Sequence, residues 1–244
     1  MKKRADLLLV ERGLVETRSR AAALILAGKV FSGERRVNKA GDLLAEAAPL
    51  ELRGQDHPWV SRGGIKLAHG LHHFGVDPAG RICLDVGAST GGFTDVLLAR
   101  GAARIYAVDV GQGQLAWRLR QDPRVVVLER RNARYLTRAE IPDAPSLIVC
   151  DASFIGLATV LATPLSLAAD QAEIVALIKP QFEVGREGVG KGGIVRDPAL
   201  REAAVARVAA WLGGEAGWQV QGITESPIVG AEGNVEYLIA ARRP

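Results

Sequence analysis

The sequence predicts an α/β protein in which a seven-stranded, Rossmann-like sheet follows a small α+β domain. Three observations support this fold class. Apolar runs alternate with helical patterns from residue 81 to the carboxyl end, which is the pattern of a doubly wound sheet. A glycine-rich turn follows the first of these runs, at residues 87–92. Residues 1–40 form a separate basic region, with ten basic and four acidic side chains.

The composition is that of a globular protein, with 48% apolar and 24% charged residues in a chain of 244. This length permits one large domain or two unequal ones with an ample core. The net charge of +4 favours an anionic partner without identifying it. Cys83 and Cys150 lie in apolar runs, which favours reduced thiols in a cytoplasmic protein over a disulfide framework.

No membrane partner is expected from the apolar segments. The early apolar run at residues 7–10 is short and flanked by charges, unlike a signal peptide. The charge-free run 152–169 approaches the length of a membrane span. It contains Pro164 and several hydroxyl side chains, however, so a buried helix is predicted there.

The first domain is predicted over residues 1–58, with a linker at 59–64 and a second domain over 65–244. Helical spacing predicts helices at 4–12 and 18–27. Thr17 or Ser19 is the expected N-cap of the second helix, and Gly28 its end. Alternation over residues 29–37 predicts a hairpin that turns at Ser32-Gly33.

The second domain begins with a predicted amphipathic helix at 65–74, which carries Lys66 near its start. The positive end of the helix macrodipole disfavours a lysine at that position. Lys66 therefore either points into solvent or has a functional reason to be there. The predicted strands are 81–85, 104–109, 125–129, 147–151, 174–179, 218–223 and 235–240, with helices between them, including one at 199–212.

The turn after the first of these strands has the features of a cofactor site. Glycines at 87, 91 and 92 allow a tight turn and a close approach to a ligand. Asp109 ends the next strand, where such folds place an acidic residue on ribose hydroxyls. The second glycine of the dinucleotide fingerprint is missing, since Ser89 stands there. A cofactor without phosphates, such as S-adenosylmethionine, therefore fits better than NAD.

Charged residues end most of the predicted parallel strands. In an open α/β sheet, ligands bind at the carboxyl ends of the strands, so these side chains are expected to line one site: Asp85, Asp109, Glu129, Asp151 and Lys179.

The glycine-rich loop 181–197 resembles a phosphate-binding loop only superficially. Gly185 to Lys191 match Gly-x4-Gly-Lys, but Gly192 stands where a Ser or Thr would hold magnesium. We expect a mobile cover over the substrate that touches RNA phosphate through Arg186, Lys191 or Arg196. A surface loop without a function is the alternative.

The first domain resembles an S4 domain, a small RNA-binding module. The motifs that carry the resemblance are Arg4-Ala5-Asp6, Leu9-Val10-Glu11-Arg12-Gly13-Leu14, Arg18-Ser19-Arg20 and Leu24-Ile25-x-Ala27-Gly28-Lys29-Val30, with a departure at Phe31-Ser32-Gly33. The resemblance implies contacts with the RNA backbone, whose affinity should fall as salt rises. The residues expected to contact RNA are Arg4, Arg18, Arg20 and Lys29, together with Arg62 of the linker and Arg186 and Lys191 of the second domain.

The second domain resembles the FtsJ-like ribose 2′-O-methyltransferases. Its pairing with an S4 domain resembles the TlyA family of ribosomal RNA cytidine 2′-O-methyltransferases, long labelled haemolysins. The motifs are Val60-Ser61-Arg62-Gly63-Gly64-x-Lys66-Leu67, Asp109-Val110-Gly111-x-Gly113-Gln114-Leu115, Leu128-Glu129-Arg130-x-Asn132-Ala133-Arg134, Lys179-Pro180-Gln181-Phe182-Glu183-Val184-Gly185 and Gly233-Asn234-Val235-Glu236-Tyr237. Gly156 departs from the family, which more often has Ser there.

This resemblance implies a Lys-Asp-Lys-Glu catalytic tetrad, formed by Lys66, Asp151, Lys179 and Glu236. It assigns the base to Lys179, which must lose its proton to act. We expect Asp151 to hold that lysine, with Lys66 and Glu236 orienting the 2′-hydroxyl. The residues expected to bind S-adenosylmethionine are Asp85, Gly87, Ser89, Thr90, Gly91, Gly92, Phe93, Asp109, Asn132 and Asp151. No metal is expected.

The expected partner is ribosomal RNA within a ribosomal subunit, without a stable protein partner. The chain resembles the shorter family members, which favours the 50S subunit. Two other function classes remain open. A non-catalytic RNA-binding or assembly factor would need the S4 domain but not the tetrad. A membrane-active haemolysin would need a span or an amphipathic membrane face, which the sequence does not offer convincingly.

Overall fold

The computed structural model describes residues 2–15, 17–53, 57–214, 216–230 and 233–243. The chain divides into two compact units. The first comprises residues 1–58 with 116–118, and the second comprises 59–115 with 119–244.

The first unit packs two short helices against small antiparallel sheets. Its elements are β1 (Lys2–Arg4), α1 (Ala5–Glu11), α2 (Arg18–Leu26), β2 (Val30–Ser32), β3 (Arg35–Arg36), β4 (Leu43–Ala45) and β5 (Leu50–Leu52). β1 pairs with β4, and the second sheet has the order β3-β2-β5. The Thr17 hydroxyl accepts the amide of Arg20 at 3.1 Å and caps α2, as expected. The apolar side chains of α1 and α2 form one buried cluster with Val30 and Val37.

The predicted hairpin forms, but its turn lies one residue later than expected. Ser32 is paired with Arg35, so the turn consists of Gly33 and Glu34. Gly33 adopts φ +59°, a conformation that glycine reaches without steric cost. The turn therefore places the glycine at its first position, and Ser32 remains in the strand.

The second unit contains a seven-stranded sheet in the order β11-β12-β10-β9-β6-β7-β8, which confirms the predicted fold class. The five strands β6 to β10 are parallel, and β12 runs antiparallel to both of its neighbours. The elements are α3 (Gly63–Phe74), β6 (Ile82–Val86), α4 (Gly92–Ala99), β7 (Arg104–Asp109), α5 (Trp117–Arg120), β8 (Val125–Glu129), β9 (Leu147–Cys150), α6 (Leu157–Ser166), β10 (Glu173–Ile178), α7 (Pro180–Glu183), α8 (Pro198–Gly213), β11 (Gln219–Glu225) and β12 (Tyr237–Arg242).

The strand order reverses between β6 and β9, because the chain builds β7 and β8 on one side of β6 and then continues with β9 and β10 on the other. Such a reversal leaves a crevice outside the carboxyl ends of the two strands. The topology therefore places the expected site at the ends of β6 and β9.

Helices cover both faces of this sheet. One buried cluster joins α3 and α4 to the odd-numbered residues of β6, β9 and β10, such as Cys83, Val149 and Val175. The other joins α6 and α8 to the residues that alternate with them, such as Leu84 and Cys150. Both cysteines are free, and burial raises the pKa of each thiol to about 12.

The charge-free run 152–169 is only partly helical. The helix α6 covers residues 157–166, and the five residues that follow Asp151 form a loop before it. Phe154 has φ +65°, which is incompatible with a helix that starts at residue 152. Among the described residues, no helix combines the length and apolarity needed to cross a membrane.

Candidate active site

Charged side chains meet at the carboxyl edge of the parallel strands. Asp85 is the fourth residue of β6, Asp151 follows β9 and Lys179 follows β10. Glu236 precedes β12 and lies at the same edge, because β12 is antiparallel to β10. The topology therefore brings residues from distant parts of the sequence to one place.

These four residues also face the same helices. Side chains alternate between the two faces of a strand, and Cys83, Val149, Leu177 and Leu238 belong to the cluster that packs against α3 and α4. Asp85, Asp151, Lys179 and Glu236 each lie two residues from one of them along the chain. The strand alternation thus directs all four charges toward the helix that carries Lys66.

Lys66 forms a buried ion pair. Its Nζ lies 2.5 Å from Oε2 of Glu236, and the two residues are only 8% and 3% exposed. The pair explains how a lysine is tolerated near the start of α3, because the buried carboxylate of Glu236 offsets the repulsion between Lys66 and the helix dipole. A buried ion pair loses solvation on both charges and is weak evidence for stability. A functional reason for this pair is therefore the better explanation.

Lys179 makes one ion pair and two hydrogen bonds with oxygen atoms that follow β9. Its Nζ lies 2.7 Å from Oδ1 of Asp151 and donates to Oγ of Ser153 at 2.7 Å and to the carbonyl of Asp151 at 3.1 Å. An ammonium group has three N–H donors, and two of them are used in the hydrogen bonds to Ser153 and to the Asp151 carbonyl. The contact with Oδ1 of Asp151 is an ion pair without hydrogen-bond geometry, and Oδ1 has no hydrogen-bond partner among the described residues. The expected Asp151–Lys179 contact is present.

The two ion pairs are close to each other. A Cβ built on Gly63, in the first turn of α3, would lie 3.4 Å from Oδ2 of Asp151. The start of the helix that carries Lys66 therefore reaches the carboxylate that holds Lys179. The four members of the expected tetrad form one cluster of two lysines and two carboxylates.

The glycine turn after β6 approaches the loop after β9. Gly87 has φ +84°, and a Cβ there would lie 2.9 Å from the backbone of Ala152. Gly91 has φ +96°. Ser89, without the freedom of glycine, also adopts a positive φ of 47°. A strained residue of this kind costs about 1–3 kcal/mol and is typical of ligand sites.

Asp109 closes this turn from the end of β7. Its carboxylate accepts the amide of Ser89 at 2.8 Å and the amide of Gly111 at 2.7 Å. Each oxygen accepts one of these bonds and has a second lone pair. Asp109 is therefore able to shape the turn and to accept ribose hydroxyls at the same time.

Asp85 is completely buried between these features. The hydroxyl of Thr94 donates to its Oδ2 at 2.6 Å, while Oδ1 has no hydrogen-bond partner among the described residues. Burial, together with the nearby carboxylates of Asp151 and Asp109, raises the pKa of Asp85 from 3.8 to about 7. An unpaired acceptor at this depth favours binding of a cationic or hydrogen-bond-donating group.

Three residues expected to bind the cofactor have other contacts. Phe93 is buried in the apolar cluster with α3, so only its backbone amide at the start of α4 remains for a ligand. Asn132 accepts the amide of Arg134 at 3.1 Å and caps a short 3-10 turn at residues 133–135. A Cβ at Gly92 would lie 2.2 Å from Oγ of Ser61, which gives this glycine a packing role. Thr90 is half-buried within the turn.

The structure adds residues that the sequence did not indicate. Ser153 binds Lys179, and Phe154 beside it is 88% exposed. The Phe154 ring lies 5.2 Å from that of Phe182, which follows Lys179 in the chain. The available signal was the pair Ser153-Phe154, which lies two residues beyond Asp151 in the sequence. It was overlooked because the apolar residues that follow predicted a helix from residue 152.

The basic residues expected to contact RNA differ in their surroundings. In the first unit, Arg4 and Arg18 donate to the same carboxylate of Asp6, at 3.0 and 3.1 Å. These hydrogen bonds lower the pKa of Asp6 to about 2, although the residue is buried. Arg20 is exposed, and Lys29 is half-buried.

The remaining three lie in the second unit and are exposed. Arg62 immediately precedes α3 and donates to the carbonyl of Val229 at 3.3 Å. Arg186 and Lys191 belong to the loop between α7 and α8.

Comparison with known protein families covers almost the entire chain. The family described as FtsJ-like methyltransferase matches residues 59–243, and the S4 domain matches residues 3–47. The match to the FtsJ-like family spans both ion pairs and the glycine turn.

Individual relatives match the chain over its whole length. A protein of Mycobacterium tuberculosis, named 16S/23S rRNA (cytidine-2′-O)-methyltransferase TlyA, is 52% identical over 98% of this chain and 89% of its own. A candidate rRNA methyltransferase of Bacillus subtilis, YqxC, is 47% identical over 100% and 86%. The solved structure of a candidate hemolysin from Streptococcus thermophilus is 41% identical over 99% and 88%, with a TM-score of 0.76.

Proposed function

Because the chain belongs to the FtsJ-like methyltransferase family, in the TlyA group that also carries an S4 domain, we propose that it methylates ribosomal RNA. The proposed reaction transfers a methyl group from S-adenosylmethionine to the ribose 2′-hydroxyl of a cytidine. Both the 16S and the 23S RNA are candidate substrates, since the M. tuberculosis relative is named for both. The expected preference for the large subunit stays a prediction. The proposed place of action is the cytoplasm.

One observation supports this proposal more than any other. Two lysine–carboxylate pairs lie together at the carboxyl edge of the sheet, beside the glycine turn. A pure RNA-binding module does not need buried ion pairs, which are costly to desolvate. A ribose methyltransferase can use such side chains to bind a hydroxyl and to accept its proton.

The residues around the glycine turn fit S-adenosylmethionine. When bound, this cofactor supplies an electrophilic methyl group on a positively charged sulfur. Asp109 would accept the ribose hydroxyls, and the amides at the start of α4 would bind the carboxylate of the methionine part. The buried Asp85, with an unpaired Oδ1, would balance positive charge on the cofactor.

Lys179 is proposed as the general base. To accept the 2′-hydroxyl proton, it must first lose a proton from the ammonium group, which now makes two hydrogen bonds and an ion pair with Asp151. The Ser153 hydroxyl can rotate and donate to the neutral amine, because a serine hydroxyl both donates and accepts. After proton transfer, the Asp151 carboxylate stabilises the ammonium that forms again.

Lys66 and Glu236 are proposed to orient the ribose. Lys66 has three donors, and one of them is used on Glu236. A second can bind the 2′-oxygen and direct a lone pair toward the methyl group. Alignment of two reactants contributes roughly 7–11 kcal/mol where the bound pose is close to attack geometry.

The proposed RNA contacts are side chains of both units, taken separately. Exposed Phe154, backed by Phe182, offers a flat face beside Lys179 on which a nucleobase can stack. In the first unit, Arg4, Arg18, Arg20 and Lys29 would bind phosphates. Stacking places a base, and therefore its ribose, within reach of the lysine.

The proposal is tested with purified protein, labelled S-adenosylmethionine and separate 30S, 50S and 70S particles. We expect label on one or a few cytidine riboses, abolished in Lys179→Ala and unchanged in Gln221→Ala, an exposed amide on β11. Cofactor binding without transfer to any particle would refute the proposed reaction. Failure to bind the cofactor, with RNA binding intact, would favour an assembly factor. Dye release from lipid vesicles by pure protein would favour the haemolysin alternative.

A further inference from the structure

Asn234 is buried and uses its whole side-chain amide to hold a distant loop. The residue is 1% exposed. Its Oδ1 accepts the amide of Val195 at 2.9 Å, and its Nδ2 donates to the carbonyl of Gly193 at 2.8 Å. These two bonds resemble those that a neighbouring β-strand would make. The loop is therefore fastened to the segment before β12 by one side chain.

The loop held in this way carries three exposed basic residues, Arg186, Lys191 and Arg196. Its fold is local and compact, since the amide of Gly190 donates to the carbonyl of Ile194 at 3.1 Å. Val195 is buried and anchors the far end of the loop. The mobility expected from the glycine content stays a prediction. All three charged residues are exposed, and Arg196 also donates to the carbonyl of Lys191 at 3.5 Å.

The same segment fixes the position of Glu236. Only one residue separates Asn234 from Glu236 in the chain. The carbonyl of Asn234 accepts the amide of Gly230 at 2.8 Å, and a Cβ at Gly230 would lie 2.6 Å from Oε1 of Glu236. The backbone thus encloses the carboxylate that pairs with Lys66. A shift of Asn234 relative to this carboxylate would break close contacts.

We propose that Asn234 is a positioning residue that fixes the basic loop relative to the Lys66–Glu236 pair, so that an RNA phosphate bound by the loop places the adjacent ribose at that pair. This inference rests on the proposed function for its ligand, the RNA backbone. The anchoring of the loop by Asn234 does not depend on it. Electrostatic contacts to phosphate carry no sequence information and mainly set register, which is the task assigned to this loop.

A purely structural role for Asn234 makes a different prediction. Loss of a buried amide would then lower stability, cofactor affinity and turnover together. A positioning role confines the effect to the loop and to RNA. The measurements must therefore separate RNA binding from cofactor binding and from turnover.

The test compares Asn234→Ala, which removes both bonds, with Asn234→Asp, which keeps the acceptor for Val195 and loses the donor to Gly193. Gln221→Ala is the matched control, because it deletes an exposed side-chain amide. All variants are made in the full chain. Trypsin cuts after Arg186, Lys191 and Arg196, so the rate of cleavage within the loop reports how firmly its base is held.

We expect loop cleavage to rise in the order wild type, Asn234→Asp, Asn234→Ala. For Asn234→Ala we expect KM for RNA, and Kd for RNA in a separate binding assay, to rise about tenfold, with kcat within about threefold and cofactor affinity unchanged. Wild-type cleavage and RNA affinity in Asn234→Ala would overturn the inference. Parallel losses of melting temperature, cofactor affinity and kcat would also overturn it.

A surface variant with the loop charges removed provides a second test that does not depend on a buried substitution. Arg186→Gln, Lys191→Gln and Arg196→Gln are combined in one chain, alone and together with Asn234→Ala. If Asn234 acts by placing these charges, its effect on RNA affinity should largely disappear in the combined variant. Full additivity would overturn the inference. If the unaltered protein methylates no RNA, the proposed function fails, while loop cleavage and RNA binding still decide the inference.

Discussion

Asp85→Asn should make the protein more stable at neutral and alkaline pH. Asn has nearly the same shape as Asp, so it can keep a hydrogen bond with Thr94 but carries no charge in the buried site. Burial raises the pKa of Asp85 from 3.8 to about 7. A carboxyl with a raised pKa binds its proton more tightly in the folded state than in the unfolded state. Its contribution to stability is therefore greatest at acid pH and is lost as pH rises from 3.8 to about 7.

The size of this effect follows from the width of that window. Each pKa unit corresponds to about 1.4 kcal/mol. Between pH 5 and about 7, Asp85 of the wild-type protein is protonated in the folded state but ionised in the unfolded state, which covers two pH units of the window. Asn at this position does not titrate. The stability of the variant relative to wild type should therefore grow by about 2–3 kcal/mol over this range. Any constant difference in hydrogen bonding or packing cancels in the comparison.

The measurement is urea unfolding of the full chain at pH 5, 6, 7 and 8. Asp122→Asn is the control, because hydrogen bonds from Arg124 lower the pKa of Asp122 and it is ionised throughout this range. Its stability difference from wild type should not change between pH 5 and pH 8. A pH-independent difference for Asp85→Asn would refute the reasoning. The same variant should bind S-adenosylmethionine at least about tenfold more weakly, since it removes the negative charge next to the proposed cofactor site.

Three further substitutions test separate parts of the site. Gly87→Ala should destabilise the protein by at least about 2 kcal/mol and prevent cofactor binding, because φ is +84° and the new Cβ would collide with the backbone of Ala152. In thermal melting, the control Gly75→Ala should lower the melting temperature less, because Gly75 also has positive φ but no atom within 4 Å of the new Cβ. Asp6→Asn should weaken RNA binding in a gel-shift titration, because the Asp6 carboxylate no longer holds the guanidinium groups of Arg4 and Arg18 in place. This loss of order should outweigh the gain of one unit of positive net charge; tighter binding would contradict this. Lys179→Met should abolish methyl transfer in single-turnover assays while cofactor affinity stays within about threefold, and residual transfer near wild type would exclude it as the base.

The sequence was sufficient to predict the sheet because its signals are local. Apolar runs and the residues that end them determined all seven strands to within about two residues. The prediction failed where the same local composition is compatible with a helix and with a loop. The run 152–169 has the composition of a helix throughout, yet its first residues are a loop, because Phe154 adopts positive φ and Ser153 turns toward Lys179. Only the position of the lysine, on another strand, determines that loop.

The expected members of the site were identified by resemblance, but their pairing could not be derived from the sequence. Lys66 and Glu236 are 170 residues apart in the chain, and nothing in their local patterns indicates contact. The packing of α3 on the sheet brings them together, since Leu67 and Leu71 share a buried cluster with Leu238 and Ala240 of β12. That packing depends on the whole sheet. Asn234 is a similar case. Its neighbours in sequence give no sign that its side chain holds residues 193 and 195.

The distribution of charge explains why the proposed site needs basic residues at its rim. Four carboxylates, Asp85, Asp109, Asp151 and Glu236, meet two lysines at the carboxyl edge of the sheet. A centre with excess negative charge attracts a cationic cofactor and repels an RNA backbone. RNA binding must therefore be supplied from outside the centre, by exposed side chains such as Arg62 and Lys191. On this view, positive charge at the rim brings the phosphates close, and the fixed base of the loop limits which ribose reaches Lys179.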